Sequence, residues 1–263
     1  MNTSSVNTSS RPWRVWIVSS ALSALALVAC SSSPRHVAKE QDAATYNAQL
    51  GIAYLHQGEV ALAKEKLDRA LEQNPNNSSV HGALALLYER LNNPARADSE
   101  FRTALRLAPR DPEILNNYAV YLCRSGRADE GVHRFQEAAH NDLYRTPEVA
   151  YTNAGVCLRA AKRDDEAARS FSQALQVRPN FAEAAYQLSD LEFQRGKLRD
   201  ARAQIDSFLG SFDATPDLLL LGVRVARAQD DKLAAERYAR RLRVDFAGSD
   251  QARALADLDR NPG

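Results

Sequence analysis

The sequence predicts an all-α protein built as a solenoid of about six stacked helix hairpins, and three observations predict it. Small residues recur at Gly51, Ala85, Ala119, Gly155, Ser189 and Gly222, and again at Ala63, Ala97, Gly131, Ala167, Ala201 and Ala234, both sets stepping by 34, 34, 36, 34 and 33 residues. In the same register a large apolar residue stands at Leu67, Phe101, Phe135, Phe171, Ile205 and Tyr238. Alanine follows at Ala70, Ala104, Ala138 and Ala174, and proline at Pro75, Pro109 and Pro179. Self-similarity at such a period marks a repeat architecture.

The physical logic is that of two antiparallel helices. They approach closely only where facing side chains are small, the large residue fills the gap toward the next hairpin, and proline ends each second helix because it cannot continue one. In its order of small, Tyr, small, aromatic, Ala, Pro, the pattern resembles the tetratricopeptide repeat (TPR), most clearly through Leu84, Ala85, Tyr88, Ala97, Phe101, Ala104 and Pro109. That resemblance implies a right-handed superhelix.

Taken in chain order, residues 1–14 carry Arg11 and Arg14 and no acid, and Val15 to Ala29 form an apolar run ending in Leu27-Val28-Ala29-Cys30. Fifteen residues are short of the roughly 20 that span a bilayer, so 1–29 read as a signal peptide. A cysteine directly after Leu-Val-Ala resembles the lipobox of bacterial lipoproteins, which implies lipid attachment at Cys30. Ser31 beside it resembles the sorting pattern for the outer membrane, facing the periplasm. Residues 30–43 are then expected to be a lipidated flexible tether. The repeats follow at about 44–77, 78–111, 112–147, 148–181, 182–214 and 215–247, with a C-terminal cap to residue 263. The sixth copy departs from the pattern at Arg241 and Phe246, as suits an end facing water.

Composition narrows the class. Without Arg11 and Arg14, 32 of the 34 basic residues remain against 33 acidic ones, a net charge of about −1. Nothing basic calls for nucleic acid, and the 234 residues from Cys30 onward leave no spare domain for catalysis. Phosphate-loop, zinc-hydrolase and nucleophile-elbow motifs are absent, so neither an enzyme nor a cofactor is expected. His56, His81, His133 and His140 lack ligand spacing, so no metal site is expected. Asp164-Asp165-Glu166 reads as the solvated start of a helix, where acids oppose the positive end of its dipole.

Cys123 and Cys157 lie in the first helices of the third and fourth repeats. Neighbouring first helices run side by side, so the sulfurs can come within disulfide reach, and closing the loop would then contribute about 3 kcal/mol. Their places, twelfth and tenth in their hairpins, differ by half a turn, which leaves open two separate buried thiols.

First helices line the concave wall of such a solenoid, and that wall is where a partner is expected. Its positions are Thr45, Ala48, Ile52 and Leu55 in the first repeat, Ser79, Gly82, Leu86 and Glu89 in the second, and Glu113, Asn116, Val120 and Cys123 in the third. The wall reads as apolar with little charge, suited to an amphipathic helix or an extended apolar segment. Equally, Ile52, Leu55 and Leu86 could simply pack on neighbouring helices. Ala48 and Ile52 stand where TPR domains that clamp chaperone carboxylate tails carry Lys and Asn, so that clamp is missing.

The step of 36 comes from two extra residues within Ala139 to Pro147. Together, Leu115-Asn116-Asn117-Tyr118, Asp142-Leu143-Tyr144, Asn153-Ala154-Gly155 and Leu218-Leu219-Leu220-Leu221-Gly222 make the chain similar to the PilF/PilW family of type IV pilus biogenesis lipoproteins. This resemblance implies a pilotin: a monomeric lipoprotein that binds secretin subunits and promotes their outer-membrane localisation and multimerisation. The alternative is a TPR scaffold lipoprotein of another envelope machine, for barrel assembly or the regulation of cell-wall enzymes.

Overall fold

The computed structural model describes residues 34–260, with side chains from residue 43 onward. The leader at 1–29 and Cys30 lie outside the described residues. Thirteen helices and no strand occur among those described. They pair as α1 (Pro34–Gln57) with α2 (Val60–Gln73), α3 (Ser78–Arg90) with α4 (Pro94–Leu107), and α5 (Pro112–Arg124) with α6 (Ala128–Ala139). The series continues with α7 (Pro147–Ala160) and α8 (Asp164–Val177), α9 (Ala182–Gln194) and α10 (Leu198–Ser211), and α11 (Pro216–Ala228) and α12 (Lys232–Asp245), followed by α13 (Asp250–Arg260).

Local chemistry sets these boundaries. Pro94, Pro112, Pro147 and Pro216 open their helices at the position where a missing N–H costs nothing. The side chains of Asn77, Asn93, Asp111, Thr215 and Asp231 accept backbone N–H bonds at helix starts. α2, α4 and α8 stop two residues before Pro75, Pro109 and Pro179. Within each hairpin the turn takes one left-handed residue: Gly58, Asn92, Gly126, Lys162, Gly196 and Asp230, with φ from 53° to 81°.

The small and large positions meet inside each hairpin. A Cβ on Gly155 would lie 2.4 Å from the Phe171 ring, and one on Gly51 2.6 Å from Leu67. The large residue also reaches forward, since the Phe101 ring stacks 5.1 Å from Tyr118 and lies 5.5 Å from Tyr121 of the next hairpin. Successive first helices touch one another from α1 through α11, whereas successive second helices do not. Unequal contact on the two sides curves the stack, with the first helices on its inner side.

One feature differs from the sequence reading. The tether expected over 30–43 is helical from Pro34, continuous with the first repeat. Lys39, Glu40 and Gln41 look polar and linker-like, but they and Ala43 are strong helix formers and Pro34 suits a first turn. Beyond residue 247, α13 packs on α11 and α12 with Leu255 fully buried. No helix among the described residues is long and apolar enough to cross a membrane.

Candidate functional site

The first three hairpins present the predicted wall in graded fashion. Ser79 and Glu113 are exposed, and Ile52, Gly82, Leu86, Glu89 and Val120 are half-buried. Thr45 is half-buried and accepts a hydrogen bond from Asn77 Nδ2 at 3.1 Å. Ala48, Leu55 and Asn116 are buried, at 2%, 6% and 8% exposure. Ala48 and Asn116 correct the reading of an open wall: Ala48 packs within the core of the first two hairpins and Asn116 accepts a hydrogen bond from Asn153, so both support the surface, whereas Leu55, though largely buried, still lines a recess.

Between the first two repeats the wall opens into a recess of about 500 Å³. Ile52, Leu55 and Leu86 give it an apolar lining, and His56, Glu89, Arg90 and Arg124 stand around them. Arg124 bridges to Glu89 at 3.1 Å, and Arg90 donates to the Leu55 carbonyl at 3.4 Å. The expectation of little charge is corrected here. The last turns of the first helices carry long polar side chains that swing over the apolar centre, a reach the wall positions alone did not reveal. Such a recess suits an aliphatic side chain flanked by polar neighbours.

Farther along, the inner wall closes on itself. Asn153 donates to Asn116 at 3.2 Å, Arg159 pairs with Asp190 at 2.5 Å and donates to Gln187 at 3.1 Å, and the Arg224 guanidinium lies 5.2 Å from the Phe193 ring centre. At the boundary between these stretches a disulfide joins Cys123 and Cys157, with 5.6 Å between their Cα atoms. The half-turn offset is no obstacle, because the tenth position faces the preceding hairpin: Tyr121, its counterpart one repeat earlier, donates its hydroxyl to the Pro94 carbonyl. Gly131 stands where five repeats have alanine because a Cβ there would lie 2.5 Å from Cys123 Sγ.

Along the edge formed by the turns inside the hairpins runs an ion-pair series that the sequence reading missed. Arg127 bonds Asp98 at 2.7 Å, Arg163 bonds Asp129 at 2.5 Å and Arg195 bonds Asp165 at 2.6 Å, each joining consecutive repeats. Arg127 and Arg163 also grip Glu130 and Glu166 through two N–H groups each. Burial would raise the Asp98 carboxyl, but hydrogen bonds from Arg127 and Tyr118 and the Arg102 charge outweigh it and hold the group below its ordinary range. Its signal was present in sequence as arginines spaced about one repeat apart. Among the described residues no three His, Cys, Asp or Glu side chains gather as a metal site.

Comparison with known proteins agrees with this architecture. The tetratricopeptide repeat family matches at residues 54–116 and 159–218. The chain is 31% identical over 201 residues to the type IV pilus assembly protein PilF of Pseudomonas aeruginosa, covering 76% of this chain and 80% of that protein. Among solved structures, Pseudomonas aeruginosa PilF aligns with a TM-score of 0.64 at 29% identity, over 83% of this chain and 99% of that one. PilW, described as a widely conserved type IV pilus biogenesis factor, aligns with a TM-score of 0.63 at 28% identity, over 81% and 98%.

Proposed function

Since this chain belongs to the tetratricopeptide repeat family of type IV pilus biogenesis proteins that includes PilF and PilW, we propose that it works there as a pilotin. On this reading the chain is held at the outer membrane by lipid on Cys30, facing the periplasm, and binds secretin subunits as a monomer to promote their localisation and multimerisation. The family's fold is a protein-interaction scaffold, which supports a binding role for the chain in pilus biogenesis.

The observation that carries the finer reading is the recess formed by Ile52, Leu55 and Leu86. It lies on the first two hairpins, the ones nearest the anchor, so a captured apolar segment is shielded from water and held close to the bilayer that receives it. Lipid supplies position, since two or more acyl chains anchor a protein firmly. Capture supplies specificity, because a partner segment bound only in its unassembled state is stabilised there by mass action.

A deletion strain tests the reading. Secretin multimers resistant to denaturing detergent are expected to disappear, and to return with the intact gene but not with Cys30→Ala. Unchanged multimers accompanied by disturbed barrel proteins would point instead to the other envelope machine. Labelling with a palmitate analogue is expected in the intact protein and absent from Cys30→Ala; equal labelling of the two contradicts the anchor.

A further inference from the structure

We propose that the outer face of the second and third repeats carries a second docking site, a cleft between α4 and α6 that takes an acidic peptide segment. The cleft has a volume of about 450 Å³ and is bordered by the guanidinium groups of Arg102, Arg106, Arg127 and Arg134, with Leu105 and Pro109 also lining it. Glu130 is the one carboxylate in its lining.

Following each charge shows what is left over. Arg127 holds both Asp98 and Glu130, and Tyr118 donates its hydroxyl to Asp98 at 2.9 Å. Arg102 shares the same Asp98 at 2.8 Å, although its side chain is 63% exposed. Arg134 reaches Glu137 at 2.6 Å along its own helix. Pairs of this exposed kind hold weakly and exchange readily for a better partner. Arg106 donates to the Thr103 hydroxyl at 3.1 Å and meets no carboxylate among the described residues. Positive charge therefore remains at the mouth of the cleft, in planar forks that match a carboxylate with two parallel bonds.

Leu105 and Pro109 decide the class of ligand. A lone small anion would fill a fraction of the volume and gain nothing from aliphatic walls. An extended peptide with an acidic residue beside an aliphatic one meets both halves of the site. The cleft lies on the second-helix side of the hairpins, away from the recess of the first helices, so the two can be occupied independently.

The test uses the full chain in detergent and a fluorescein-labelled synthetic peptide of alternating Glu and Leu, with a Gln-Leu peptide as its neutral counterpart and inorganic phosphate as competitor. The Glu peptide is expected to bind about tenfold more tightly than the Gln peptide, as one or two charge-assisted hydrogen bonds dictate. Combining Arg106→Glu with Arg134→Glu is expected to remove about that same factor with helicity unchanged, and raising the salt to weaken binding. Leu86→Glu is expected to leave it intact. Equal affinity for both peptides, or indifference to the arginine substitutions, overturns the proposal. Loss through Leu86→Glu would assign the peptide to the inner recess, and displacement by phosphate as easily as by unlabelled peptide would make this a simple anion site; either result also overturns it.

Discussion

The inner wall begins and ends in different chemistry, though both ends are built from the same repeat. In the first two hairpins the ninth positions are Ile52 and Leu86, and the aliphatic groups there, with Leu55, surround open volume. Three repeats after Leu86 the ninth position is Asp190, held by Arg159, while Phe193 is covered by Arg224. Side chains that satisfy one another leave nothing for a partner; side chains that line a recess without filling it do. Identical backbone geometry therefore supports a receptive end and a self-bound end, and the Cys123–Cys157 disulfide marks where one passes into the other.

Removing the packing that both ends share gives the largest expected effect. Phe171 is fully buried over Gly155, so Phe171→Ala is expected to lower unfolding stability by about 3–5 kcal/mol in denaturant titration. A loss below about 1 kcal/mol would mean that the small-large pairs do not carry the stack.

Cutting the boundary comes next. Cys157→Ser, or reduction, is expected to cost about 3 kcal/mol and to raise hydrogen exchange in α5 and α7 more than in α1 and α3. Unfolded but unreduced protein is expected to show no free thiol from Cys123 and Cys157; two titratable thiols would contradict the bridge.

A smaller effect belongs to the ion-pair rim. Because the Asp98 carboxyl is held below its ordinary range, it contributes stability above about pH 4 that is lost as pH falls through its lowered folded value. Asp98→Asn is expected to cost about 1 kcal/mol at neutral pH and to make acid unfolding less steep. An unchanged acid limb would show that the rim adds nothing to the stack.

The repeat was legible because close approach leaves a strict sequence mark: where Phe171 lies over position 155 only a small residue fits, and the same demand returns every hairpin. The disulfide was half legible. Both sulfurs were placed on neighbouring first helices, yet their orientation depended on the tenth position facing backward, a fact Tyr121 shows only in three dimensions. Gly131 was the available hint, since it breaks a column of alanines opposite Cys123. The helical start at Pro34 escaped because polar helix formers read alike in a linker and in a solvated helix. Burial of Ala48 and Asn116, and the charged side chains around the recess, depend on how far neighbouring side chains reach, which position in a repeat does not encode.

The receptive end is tested most directly by comparing assembled secretin in strains that carry Leu86→Glu or Arg159→Glu, each confirmed to be folded and present at normal abundance. Multimers are expected to fall at least tenfold with Leu86→Glu, since a charge in an apolar site costs more than 1.4 kcal/mol, and to persist with Arg159→Glu. Normal multimers with Leu86→Glu, or their loss only with Arg159→Glu, would contradict the account.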